Sequence, residues 1–162
     1  MDRINYNREE EEDKLQIFLF NMDEEEVGFI AQARAEGYEL NAEHTLGSLN
    51  ELERYLLEKN INFQDPSVEA LNARTLCWYY LGEVVRMNYG GNWEFSMSED
   101  NTMYWGRYVI EGHTPVPGVQ FEPMGLVARF LRKRNPGTFL RSINSQVNPE
   151  PVDFSEFPDE VE

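Results

Sequence analysis

One stretch limits the folds open to this chain more than any other. From Leu76 to Val85, the residues Leu76, Cys77, Trp78, Tyr79, Tyr80, Leu81, Val84 and Val85 make a helix apolar on nearly every side. Such a helix must be buried, so other elements have to cover it on more than one flank. Asp65-Pro66 opens it, with Asp as cap and Pro at the first helical position. It runs to about Tyr89, where Gly90-Gly91 terminates it. The pattern predicts a central helix as the spine of the core.

The flanking segments supply the cover. Leu15, Ile17, Phe18, Leu19 and Phe20 form an apolar run too short to decide between strand and helix turn. Asp23 offers an N-cap, and Glu24, Glu25 and Glu26 stand where negative charge suits a helix's first turn. Gly37 is the natural stop of that helix. Ser48 and Glu51 have capping-box spacing, and Leu49, Leu52, Leu56 and Leu57 line one side of a second helix that Asn60 ends. After Gly91 the period changes to two. Trp93-Glu94-Phe95 and Met103 to Ile110, around a turn at Ser98 to Asn101, predict a β-hairpin, and Val119 to Phe121 a third strand. Pro123 starts a further helix, and Asn135-Pro136-Gly137 separates it from a short one over Thr138 to Ser145. The expected fold is α+β: N-terminal helices packed on a small antiparallel sheet, with a C-terminal helix. Residues 14–147 read as a single domain. Residues 1–13 read as an acidic, solvated N-terminal segment, and 148–162 as a flexible acidic tail.

The 162-residue length suits one domain. Cys77 is the sole cysteine, so no disulfide can form within the chain, and the cytoplasm is the expected compartment. Met1-Asp2-Arg3-Ile4-Asn5 lacks the basic and apolar regions of a signal peptide. No apolar run approaches the roughly 20 residues that span a bilayer. Charge is unevenly placed. Residues 1–70 carry eighteen acids and six bases, 71–147 six and eight, and 148–162 six and none, which accounts for the net −16. Such a surface repels nucleic acid and anionic lipid. The partner it implies is a basic protein.

The motif Trp78-Tyr79-Tyr80-Leu81-Gly82-Glu83-Val84, followed by Gly90-Gly91-Asn92-Trp93, has a structural account. Gly82 costs about 1 kcal/mol against alanine within a helix, which close approach of another backbone would explain. Gly90 caps the helix, Trp93 starts the strand that folds back over it, and Glu83 can pair with Arg86 one turn on. This helix, its Gly-Gly-x-Trp exit and the hairpin resemble a group of small bacterial domains of unknown biochemical activity. Some members of that group lie beside secreted antibacterial toxins as candidate immunity proteins. The resemblance covers Trp78 to Trp93, more loosely extends to Ile110, and carries over no catalytic residue.

Chemistry-bearing constellations are few. His44 and His113 stand far apart in sequence and Cys77 lies in the core helix, so neither a metal site nor a thiol nucleophile is expected. No phosphate loop, nucleophile elbow or dinucleotide fingerprint is present, and no cofactor is implied. Arg129, Arg132, Lys133, Arg134 and Arg141 read as a solvated basic face that could pair with the chain's own acids, the tail included. The favoured function is a non-enzymatic inhibitor or immunity protein that occludes a basic toxin domain. Its expected contact residues are Asp23, Glu24, Glu25, Glu26, Glu51, Glu53 and Glu58, with Tyr38 and Tyr55 as aromatic anchors. The rival readings are a small-molecule enzyme using Glu83 with Glu94 or Asp100, and an acidic DNA-mimic adaptor.

Overall fold

The computed structural model describes residues 3–148; the tail, from Pro149 onward, lies outside the described residues. Helix α1 spans Arg8–Ala35, and Asn7 caps it by accepting the Glu10 N–H. Its 28 residues absorb three features expected separately: the acidic start, which is helical while Glu9, Glu10, Glu12 and Asp13 stay exposed, the apolar run and the helix from Asp23. Asp23 is therefore no N-cap, and Glu24 to Glu26 stand mid-helix. The cause is local. Glutamate is a good helix former, and Glu9, Glu10 and Glu11 occupy the first turn, where the helix dipole favours them. Residues 3–7 are also fastened. Trp105 Nε1–H donates to the Ile4 carbonyl, Arg3 pairs with Glu99, and Tyr6 sets its ring edge-on to Phe95.

Helix α2 (Ser48–Glu58) starts one residue earlier than a Ser48 cap requires. The Ser48 hydroxyl instead meets the Tyr80 hydroxyl at 2.7 Å, and Glu51 accepts from the Glu39 N–H, so no capping box forms. Helix α3 (Val68–Tyr89) is the spine, with every residue from Cys77 to Val85 buried. Ser67, not Asp65, caps it. Gly90 ends it at positive φ.

Strands β1 (Asn92–Phe95), β2 (Tyr108–Glu111) and β3 (Gln120–Phe121) form an antiparallel sheet in the order β1-β2-β3, with Trp93 opposite Ile110. The second strand begins at Tyr108 rather than Met103. Residues before it turn back so that the Gly106 N–H reaches the Ser96 carbonyl. Gly91 is required: a Cβ there would sit 2.5 Å from the Glu111 carbonyl oxygen.

Helices α4 (Pro123–Lys133) and α5 (Thr138–Val147) follow. Both cover α3, which also meets α1, α2 and β2, so the fold is α+β around one buried helix. An aromatic seam joins its layers. Phe18 of α1 stacks on Trp78, and Tyr79 stacks on Trp93 at 5.7 Å between ring centroids. Among the described residues, no helix is long and apolar enough to cross a membrane.

Candidate partner-binding groove

Where α1, the second half of α3 and β1 converge, the surface opens into a groove of about 900 Å³. One wall is α1, which presents Glu12, Asp13, Phe20 and Asp23; β1 contributes Glu94 to the other. Trp93 and Glu83 line the groove between them.

Trp93 can lie flat against α3 only because residue 82 is glycine. A Cβ at Gly82 would stand 2.3 Å from the indole ring. The close approach expected at Gly82 is thus made by a side chain and not by a backbone. The indole N–H then donates to Glu83 at 2.8 Å. The Arg86 guanidinium grips the same carboxylate through two bonds of 2.9 Å. Burial alone would push the Glu83 carboxyl up, but the hydrogen bonds from Arg86 and Trp93 outweigh it and hold the group below its ordinary value. Glu94 sits exposed on the rim and is shifted the other way, first by partial desolvation and then by the like charges of Glu111 and Glu12.

The groove is strongly anionic. Five carboxylates line it (Glu12, Asp13, Asp23, Glu83 and Glu94) against the single guanidinium of Arg86, which Glu83 already holds. Phe20 is 66% exposed, and Ile17 and Val27 are comparably open on the same helix. Residues 17, 20, 24 and 27 recur at helical spacing, so an apolar stripe broken by Glu24 borders the acids.

A second buried pair lies nearby. Glu26 Oε1 and His44 Nε2 are 2.9 Å apart. Burial raises the Glu26 pKa more than its contact with His44 lowers it. For His44, burial works downward, but the hydrogen bond and charge of Glu26 prevail and the pKa is raised. Neither residue lines the groove.

The structure splits the expected contact set. Asp23, Glu24 and Glu25 are exposed on α1, but Glu26 is buried against His44. Glu53 is also buried: its carboxylate accepts the N–H groups of Gly137 and Phe139 and caps α5, whose own N-cap glycine offers no side chain. Neither carboxylate is available to a partner. Glu51 and Glu58 both pair with Arg54, and Glu58 also accepts from the Tyr38 hydroxyl. Tyr38 is buried and Tyr55 half-buried, packed edge-on against each other, so they are core residues and not exposed anchors. Asp100 stands in the exposed 98–101 turn, away from Glu83 and Glu94, which do share the groove.

Sequence reasoning missed Phe20, Glu12 and Asp13 as one surface with Asp23. A single helical register carried through residues 8–35 would have placed them side by side.

Among the described residues, no group of three or more His, Cys, Asp or Glu side chains is arranged to hold a metal ion. Burial pushes the Cys77 thiol strongly up, so it is held protonated. Comparison with protein-family models, curated proteins and solved structures finds no match to this chain.

Proposed function

We propose that the protein is a binding protein whose α1–α3–β1 groove captures a basic segment of a partner protein. One observation carries this reading: of the five carboxylates lining the open groove, Asp13, Asp23 and Glu94 have no cation partner among the described residues, and they stand beside an exposed Phe20. Uncompensated carboxylates steer a cationic partner and raise its association rate toward about 10⁸–10⁹ M⁻¹s⁻¹ at low salt. An exposed ring among them supplies the apolar contact that charge alone does not give. In its finer form the reading is an inhibitor or immunity protein that blocks a basic toxin domain. The expected sequence set is revised accordingly: Asp23 stays, Phe20 takes the place of Tyr38 and Tyr55, and Glu12, Asp13 and Glu94 take the place of the α2 acids.

An enzyme using Glu83 as a proton donor fits less well. A carboxylate held by two guanidinium bonds and an indole N–H, with its pKa lowered, gives up proton-transfer capacity near neutral pH.

The test uses nona-arginine as a cationic probe, titrated into the full chain and followed by amide chemical shifts and the Trp93 indole N–H resonance. Shifts confined to Glu12–Glu24 and Asn92–Glu94, weakening as salt rises, are the expected result. Shifts centred on α2, or spread evenly over the acidic surface, would remove the proposal.

A further inference from the structure

The opposite charge collects elsewhere. Arg129, Arg132 and Lys133 project from α4 and Arg141 from α5, and none of the four forms an ion pair with an acid among the described residues. That is unexpected in a chain with thirty acids against fourteen bases. Two adjoining hollows of about 470 and 400 Å³ open between the helices, with Arg129, Ser142 and Ser145 shared by both. The carboxylate in the first hollow, Glu122, is already engaged by the Gly125 N–H and by Arg107. Arg129 and Arg141 spend some N–H groups on neutral oxygens, those of Ser142, Pro136 and Thr138, but with Arg132 and Lys133 their charge is unmatched among the described residues, so the groove calls for an anionic occupant with several charges in a row.

We propose that this groove binds the acidic segment 149–162 of the same chain. Three observations favour that occupant over an external polyanion. The segment carries six acids and no base, opposite in sign to the groove. It also follows α5 directly, leaving from the helix that forms one wall. Fourteen residues in an extended chain reach about 43 Å, against about 15 Å for the ten-residue α5. The segment can therefore run back along the whole groove. The third observation is spacing. Glu150, Asp153, Glu156 and Asp159 recur every third residue, with Pro149, Pro151 and Pro158 among them. A left-handed extended chain has three residues per turn and sets such carboxylates along one edge, about 9 Å apart. Tethering makes the contact intramolecular, at an effective concentration in the millimolar range. Docking covers a basic face that would otherwise attract nucleic acid.

The experiment compares the full wild-type chain with a full-length variant whose six tail acids are neutralised (Glu150→Gln, Asp153→Asn, Glu156→Gln, Asp159→Asn, Glu160→Gln, Glu162→Gln). At low ionic strength, the Nε–H signals of Arg129 and Arg132 and the amides of 129–133 should shift between the two. These positions are remote in sequence from the changes. A synthetic peptide of residues 149–162, added to the variant, should move the same signals back toward wild-type values, and added salt should reverse that. Identical spectra at 129–133, or a peptide that moves nothing there, overturn the proposal. A short DNA duplex separates the remaining case. The variant should bind it about tenfold more tightly than wild type, because the competing tether is gone. Equal affinity of both proteins for the duplex, with shifts at the same residues, would make the groove a nucleic-acid site and sink the tail as its occupant. The nona-arginine site on α1 is separate, so failure of either proposal leaves the other standing.

Discussion

Helices α1 and α2 are both rich in glutamate, and their carboxylates have different fates. On α2, Glu51 accepts from Arg54 and from the Glu39 N–H, Glu58 pairs with Arg54 and Tyr38, and Glu53 turns inward to cap α5. Arg54 also lies 4.4 Å from the centre of the Tyr38 ring, so its guanidinium binds the α2 acids to the core. Along the groove-facing part of α1, Asp13 and Asp23 make no ion pair among the described residues, and Glu12 makes only a long, exposed contact of 3.8 Å with Arg8. Charge density hardly distinguishes the two helices, at −6 over the 28 residues of α1 and −2 over the 11 of α2; the supply of donors does. An acid with a fixed donor stabilises the fold, whereas an acid without one contributes a field that a partner can use.

That contrast can be broken most sharply at Glu53. Glu53→Ala strands two buried N–H donors, and by the cost of unmade hydrogen bonds it should lose about 3 kcal/mol, lowering the melting temperature by roughly 6–12 °C. Nona-arginine binding in the folded variant should be unchanged. A melting temperature close to wild type would mean that the α2 acids do not hold the fold. Next in size is Gly82→Ala. Forcing a methyl into the Trp93 ring should cost about 1–3 kcal/mol, as overpacking does, and should shift the Trp93 indole N–H resonance. An unaltered spectrum would mean the ring does not rest on Gly82.

A smaller effect concerns pH. His44 is raised above its ordinary 6.5, so its stabilising contribution is complete below that value and lost as pH climbs through the folded one. Glu26 is raised above 4.5 and acts in the same direction, since the folded state holds its proton more firmly than the unfolded chain does. Thermal stability should therefore begin to decline above about pH 4.5 as Glu26 ionises and fall further above about 6.5 as His44 loses its proton, and more steeply in wild type than in Glu26→Gln. Parallel pH profiles would count against a coupled pair. The smallest stability change is expected at the groove. Glu12→Gln with Asp23→Asn should move stability by less than about 0.5 kcal/mol, as surface changes do, yet weaken nona-arginine binding several-fold. Glu51→Gln should do the reverse, costing about 1 kcal/mol of hydrogen bonding and leaving the probe's affinity intact.

Legibility in the sequence follows the range of the forces involved. Helix α3 announces itself because nine consecutive buried positions leave no polar face. The hairpin, α4 and α5 carry local punctuation at Gly91, Pro123 and Gly137, and each was expected near where it lies. Helix α1 was not legible as one element. Its buried positions, Leu15, Met22, Glu26, Ile30 and Ala33, include a glutamate and leave a thin stripe among acids. Glu26 and Glu53 were expected on the surface because their partners lie 18 and 84 or more residues away. The groove was half legible. Asp23 and Glu94 were both singled out, but for different functions, and only the packing of β1 against α1 brings them together.

The bond from Glu53 to the start of α5 also bears on how the protein is made. While the ribosome has released only the chain through α4, the carboxylate of Glu53 has no amide to receive and must stay hydrated. The start of α5 thus acts as a latch: the native contacts of the Glu53 carboxylate form only once Gly137 and Phe139 have emerged.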